Sequence, residues 1–324
     1  MRRLTTCILV AFLALSACTS KAPQHPAAKA SPSPSSSAPA PQLIAFVSSN
    51  TGFGPEGGPS AIEETDATGA QRRVIYKSEH QIGSLSWSPE ASKFVFTLFP
   101  GEMVPPGGIW VLNGDGTGAR KIVDVGASPA WSPNGNFIAF AKGFGTGASE
   151  LYLIRPDGRG ERKLTSCGAG CAKEGGDYSP SWSPDGRRIV FHRGSTLFVV
   201  NNDGSGVREL IHCAKRCFYD HPAWSPDGTR IAFNGPNGTL FVINSDGTTL
   251  RRLYSCQGRS CLYFNYPAWA PDGKTLLLTA GILGGRFGQI VTLTLNDSLR
   301  TLTTPPTRAC CGVWVTQRRH QTHP

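Results

Sequence analysis

With 324 residues the chain is long enough for one large all-β domain, and a 39% share of hydrophobic residues gives it a core to bury. Its 38 glycines and 25 prolines, with little helical periodicity, argue against a helical architecture and for many strands and turns. The formal charge of +10 would suit nucleic acid, but the export signal read next removes that partner and leaves cell-wall polymers and lipid head groups as the relevant anions.

Arg2 and Arg3 precede an apolar run, "LTTCILVAFLALSAC", which is shorter than the ~20 residues a spanning helix needs. A charged start and a small-residue end fit an export signal. "LSAC", Leu15 to Cys18, resembles the bacterial lipobox, so residues 1–17 are expected to be a lipoprotein signal peptide and Cys18 the lipidated residue. Loss of Arg2 and Arg3 leaves a charge of +8. Residues 18–42 are the acylated cysteine and a tether rich in Pro, Ala and Ser, a composition that cannot build a core. Two or more acyl chains on Cys18 would make the membrane anchoring stable.

From residue 43 onward one phrase recurs. It reads "GSLSWSPEASKFVF" at 83–96, "SPAWSPNGNFIAF" at 128–140, "SPSWSPDGRRIVF" at 179–191, "HPAWSPDGTRIAF" at 221–233 and "YPAWAPDGKTLLL" at 266–278. The tryptophans at 87, 131, 182, 224, 269 and 314 are 44, 51, 42, 45 and 45 residues apart, the period of a propeller with four strands per blade. In the fifth blade "PAW" ends the inner strand, and Pro226-Asp227-Gly228 makes a tight turn. "TRIAFN" is the second strand, "TLFVINSDG" the third strand with its turn, and "LRRLY" the fourth. The tryptophans are expected to act as wedges between neighbouring blades. "LIAFVSS" at 43–49 matches a second strand with no tryptophan strand before it, and "GVWVT" at 312–316 matches a first strand with no second strand after it. The C-terminal strand therefore completes the N-terminal blade and removes an exposed sheet edge. The expectation is an all-β, six-bladed propeller over 43–316, closed by its two terminal strands, with a tail at 317–324.

"AWSPDGTRIAF", followed by "DG" and an Arg-bearing strand, resembles the WD40-like propeller repeat of the TolB family, and the resemblance covers nearly everything from Leu43 to Thr316. It implies the fold and an envelope location. It does not carry over the place of TolB in the Tol–Pal system, because TolB has an α/β domain before its propeller where this chain has the tether.

Each fourth strand carries basic residues: Arg72 and Arg73, Arg120 and Lys121, Arg162 and Lys163, Arg208, Arg251 and Arg252, Arg300. Positive charge on an outermost strand prevents edge-to-edge pairing. The functional alternative is a basic rim that attracts anionic envelope polymers and weakens in salt.

Eight cysteines follow Cys18, as the pairs Cys167 and Cys171, Cys213 and Cys217, Cys256 and Cys261, Cys310 and Cys311. Each pair falls between a fourth strand and the next inner strand, so all four lie on one face. One local disulfide per loop is expected in an oxidising exterior, although eight cysteines allow 105 pairings. Zinc fits the spacings less well, with no matching downstream His set. A Cys310–Cys311 bridge would span Cα atoms only ~3.8 Å apart, and pairing with a nearby loop is the alternative.

On the same face the residues four before each tryptophan are Gly83, Ala127, Tyr178, Asp220, Asn265 and Cys310, followed by Ser84, Ser128, Ser179, His221, Tyr266 and Cys311. Tyr178, Asp220, His221, Asn265 and Tyr266 form the candidate ligand site at the channel mouth, able to grip a polar ligand or a cation. The alternative is that they line a water-filled channel. His80, His192 and His212 should lie towards the same face, without sequence evidence that they meet. No catalytic residue, cofactor or resident metal is expected: the chain has no Gly-x-Ser-x-Gly elbow, no His-Glu-x-x-His and no phosphate-cradling Gly-x-x-x-x-Gly-Lys. The expected role is that of a monomeric, non-catalytic envelope scaffold binding a protein or cell-wall glycan. A metal-dependent polysaccharide lyase and an accessory sensor for a membrane kinase are the alternatives.

Overall fold

The computed structural model describes residues 42–49, 58–88, 90–99, 107–143, 149–166, 175–212, 218–255, 262–282, 288–296, 298–303 and 308–315. The signal peptide, Cys18, the tether, the tail and the six loop cysteines from Cys167 to Cys261 lie outside the described residues.

The first blade contains β1 (Leu43–Ser49), β2 (Ser60–Asp66) and β3 (Arg72–Ser78). The second has β4 (Gln81–Ser88), β5 (Lys93–Phe99), β6 (Gly108–Asn113) and β7 (Arg120–Val123). The third has β8 (Ala127–Trp131), β9 (Ile138–Lys142), β10 (Glu150–Ile154) and β11 (Arg162–Lys163). The fourth has β12 (Asp177–Trp182), β13 (Arg188–Arg193), β14 (Thr196–Asn201) and β15 (Arg208–Ile211). The fifth has β16 (Asp220–Trp224), β17 (Arg230–Asn234), β18 (Leu240–Asn244) and β19 (Arg251–Tyr254). The sixth has β20 (Leu262–Trp269), β21 (Thr275–Ile282), β22 (Gly288–Thr294) and β23 (Leu299–Thr301). β24 (Arg308–Val315) returns to the first blade as its inner strand, in the order β24-β1-β2-β3. The six four-stranded antiparallel sheets and the terminal closure match the sequence expectation.

Second strands are buried on both faces, because each blade is sandwiched between two others. Ile231, Ala232 and Phe233 are all fully buried, as are Ile189, Val190 and Phe191. Full burial of a Val, Ile or Phe side chain is worth roughly 1.5–3 kcal/mol, so these central strands carry most of the inter-blade cohesion.

Three repeated devices lock neighbouring blades. The tryptophan wedges work in two ways, set by the residue before the tryptophan of the preceding blade. Where that residue is alanine, the indole Nε1 donates to its carbonyl: Trp182 to Ala130 at 3.1 Å, Trp269 to Ala223 at 3.1 Å and Trp314 to Ala268 at 3.3 Å. Where it is serine, the hydroxyl instead accepts the backbone N–H of the next tryptophan, Trp131 on Ser86 and Trp224 on Ser181, and those two indole N–H groups stay unpaired. The second device is the Asp-Gly turn between third and fourth strands. A Cβ on Gly116 would stand 2.2 Å from the Ile75 carbonyl oxygen, and one on Gly204 2.8 Å from that of Leu164. With φ of +89° and +92° as well, only glycine serves there.

The third device changes the reading of the basic outer strands. Arg120, Arg162, Arg208 and Arg300 each donate from Nη2 to a carbonyl in the corresponding turn of the next blade: Pro156, Asn202, Ser245 and Thr68. They are ties between blades. Arg300 reaches from the last blade to the first and so spans the closure.

Candidate functional site

Every inner strand is interrupted by a bulge just before its tryptophan, with register shifts between Ile82 and Leu85, Ala127 and Ala130, Tyr178 and Ser181, Asp220 and Ala223, and Asn265 and Ala268, and opposite Ala45 and Val47 in β1. Proline follows at 129, 180, 222 and 267, where the broken ladder asks for no N–H donor. The bulged residue takes a left-handed backbone in five of the six strands: Ser128 (φ 52°), Ser179 (51°), His221 (46°), Tyr266 (54°) and Cys311 (56°). None is glycine, so each conformation costs about 1 kcal/mol or more. Bulges re-aim side chains, and here they turn a ring of non-glycine residues towards the axis.

That ring frames a central cavity of about 330 Å³, lined by Ser84, Ser128, Ser179, His221, Tyr266 and Cys311 together with the proline, alanine and tryptophan positions that follow them. Its composition is lopsided. Serines occupy blades two to four; imidazole, phenol and thiol occupy blades five, six and one. The residues one position earlier form a second tier, held in register with second strands: Tyr178 opposite His192, Asp220 opposite Asn234, Asn265 opposite Thr279.

Four of the five candidate residues meet, and His192 joins them. Tyr178 stacks on His192 with centroids 5.7 Å apart, His192 faces His221 at 6.4 Å, and His221 packs on Tyr266 at 4.2 Å. Asp220 Oδ1 lies 3.2 Å from His221 Nδ1, without the alignment of a hydrogen bond, and both atoms are buried with no hydrogen-bond partner. Ser149 Oγ donates to the Tyr178 hydroxyl at 2.7 Å. Asn265 is half-buried and takes no part in this row of rings. His80 and His212 stand apart, the His80 carbonyl receiving Ser60 Oγ and His212 Nδ1 lying 2.9 Å from Thr196 Oγ1.

Electrostatics follow from this packing. Burial, then the neighbouring His221, lowers the His192 pKa from 6.5 to about 4, against a smaller opposing pull from Asp220, so that ring is neutral at pH 7. The sulfur of Cys311, then burial, Cys310 and Asp220, hold the Tyr266 hydroxyl well above its ordinary value of 10. Burial and the adjacent Cys311 push the Cys310 thiol up in the same way. Cys310 and Cys311, the pair for which the sequence raises a vicinal disulfide or pairing with a nearby loop, are both buried and stand as free cysteines among the described residues. Antiparallel pairing of Cys310 with Val47 and the bulge at Cys311 fix the backbone on either side of that peptide. Among the described residues no three His, Cys, Asp or Glu side chains converge as a metal-binding group.

One side of the mouth is anchored by a buried ion pair. Arg193 holds Asp177 through Nε to Oδ1 at 2.6 Å and Nη2 to Oδ2 at 3.0 Å, and Thr165 Oγ1 donates to Oδ2 at 2.6 Å. Asp177 is fully buried. The network ties the start of β12, next to Tyr178 in the chain, to the end of the third blade.

A family model described as the TolB beta propeller domain matches residues 42–212. The chain belongs to the TolB β-propeller family. Among curated relatives, the protein TolB homolog of Chlorobium luteolum is 29% identical over 150 residues, 46% of this chain and 30% of that protein. The Tol-Pal system protein TolB of Gluconobacter oxydans is 41% identical over 68 residues, 21% of this chain and 13% of the relative. The chain thus spans under a third of the length of these TolB relatives. The crystal structure of TolB from Acinetobacter baumannii superposes with a TM-score of 0.66 at 19% identity, covering 85% of this chain and 66% of the other, a likeness of fold.

Proposed function

We propose that this TolB-type propeller is a non-catalytic, protein-binding scaffold of the bacterial cell envelope, anchored through a lipid on Cys18 and presenting its channel mouth to an envelope partner. The observation that carries the reading is the direction of the terminal strands. Leu43 pairs with Val315, at the tryptophan end of β24, while Ser49 pairs with Arg308 at its start. The chain therefore enters and leaves the propeller on the hairpin-turn face. The opposite end of the inner strands carries Asp220, His221 and Tyr266.

The relatives named for the Tol-Pal system and TolB support an envelope location and a protein partner. The strained ring of bulges is a preformed surface, which lowers the ordering cost of binding. The experiment is site-specific photocrosslinking in intact cells from Phe218, half-exposed beside the mouth, and from Asp246 in a turn on the other face. A discrete adduct from Phe218 and none from Asp246 is the expected result. Equal labelling from both faces, or labelling from Asp246 alone, overturns the assignment of the binding face.

A further inference from the structure

The central cavity, about 330 Å³, is at the small end of the range for ligand pockets and suits a compact molecule. Its wall has two parts of different chemistry. In blades two to four it is a bank of hydroxyls: Ser84, Ser86, Ser128, Ser179 and Ser181 all line it. Ser86 and Ser181 accept the backbone N–H of Trp131 at 3.1 Å and of Trp224 at 3.2 Å, bonds that leave each hydroxyl proton to be donated elsewhere. Ser128 and Ser179 hold their places through a left-handed backbone, with φ of 52° and 51°, that glycine would adopt more easily. Strained backbone of this kind collects at ligand clamps and active sites. The rest of the wall is His221, Tyr266 and Cys311 with proline, alanine and tryptophan. Among the described residues no Asp, Glu, Lys or Arg lines the cavity, in a chain with a formal charge of +10.

This wall narrows the choice of ligand. A purely apolar molecule would displace water from the serine hydroxyls and leave them unpaired. An ion would give up its hydration for a lining of hydroxyls, rings and hydrocarbon. A saccharide ring meets both parts of the wall. Its hydroxyls donate and accept as serine does, and its C–H surfaces suit proline and alanine. We propose that the central cavity binds a neutral saccharide, with Ser84, Ser128 and Ser179 as the hydrogen-bonding partners of its hydroxyls. This goes beyond the protein-binding role of the mouth and does not depend on it. The ring is either a free sugar or the end of an envelope glycan.

The test is a calorimetric or ligand-observed NMR titration of the full chain with glucose and N-acetylglucosamine, each against its own 6-phosphate. At least one neutral sugar should bind, and its phosphate at least about tenfold more weakly. That order is demanding, because the positive charge of the chain favours phosphates at any nonspecific site. The variant S84A/S128A/S179A, checked for an unchanged melting profile, should weaken the sugar by about tenfold or more, because alanine keeps the Cβ and removes only the hydroxyl. Should the triple variant melt early, S84A alone, at a position without positive φ, should weaken it severalfold. Tighter binding of the matching tetrasaccharide, chitotetraose or maltotetraose, identifies a glycan end; equal or weaker binding identifies a free sugar. The proposal is overturned by phosphates that bind as well as the neutral sugars, by unchanged binding to the variants, by tighter binding of the neutral peptide acetyl-Gly-Ser-Gly amide, or by silence up to ~50 mM, weak even for a small ligand. No protein partner enters this titration, so it is decided separately from the crosslinking.

Discussion

Lowering the pH from 7 to 5 should destabilise the propeller through His192, and the size of the effect can be worked out. The His192 pKa is held at about 4 in the fold against an ordinary 6.5. A base with a depressed folded pKa binds its proton more readily when unfolded, so its contribution is fully present above pH 6.5 and is lost as the pH falls towards 4. Between pH 7 and pH 5 the difference in proton binding integrates to about 2 kcal/mol, a factor of roughly thirty in the unfolding constant. The cause is local: the His192 Nδ1 is buried without a partner, and the ring is pressed between Tyr178 and His221. H192Q removes the titrating ring while keeping a neutral polar side chain. Urea unfolding of wild type and H192Q at about pH 7, 6 and 5 should show the wild type losing stability faster by this amount. Parallel pH dependence in the two proteins would refute the reasoning, because no other group is exchanged.

Breaking the Asp177–Arg193 pair by R193A should cost about 3–5 kcal/mol, because it leaves a fully buried carboxylate without its cation; chemical denaturation checks it, and a loss below ~1 kcal/mol contradicts the buried geometry. At Ser128, whose φ is 52°, S128G should be neutral or slightly stabilising while S128V costs ~1–3 kcal/mol, read by thermal melts of the two variants. Removing residues 308–324 takes away β24, the partner of β1 at six buried or half-buried positions between Leu43 and Ser49; cooperative melting should disappear, and an unchanged melt would show that the ring does not depend on closure. The Asp227 pKa is lowered from 3.8 to about 2, first by the Ser225 hydroxyl. Its contribution is present above about pH 3.8 and lost as the pH falls towards 2, so D227N should flatten acid unfolding in that window by ~1 kcal/mol at most, given its exposure.

The architecture was legible because the propeller writes each blade in the same words. β1 occupies Leu43–Ser49 as read, and the Asp-Gly turns could be placed from turn chemistry alone. The outer arginines were visible as a pattern, but their role depends on what stands opposite: a carbonyl of the next blade's turn, a contact between residues 36 to 40 positions apart in the case of Arg120, Arg162 and Arg208. The site was half legible. Counting back from the tryptophan located Tyr178, Asp220, His221 and Tyr266, while His192 came from a neighbouring strand and was joined to them only by the pairing of Tyr178 with His192. Asn265 fell at an equivalent position, yet a place in the repeat does not guarantee a contact. The left-handed ring was missed because serine, histidine, tyrosine and cysteine give no warning of positive φ; the following prolines at 129, 180, 222 and 267 are the available hint of a broken ladder.

Leu43 finds its partner Val315 272 residues later in the chain. During synthesis the first blade must therefore wait, three-stranded, until β24 has been translated. Such a long-range pairing slows folding, and a product cut short by an early stop or by a protease presents β1 as a sticky border on which another copy can build. β24 thus acts as a proofreading step for the propeller, since only a chain that reaches it can hide that border.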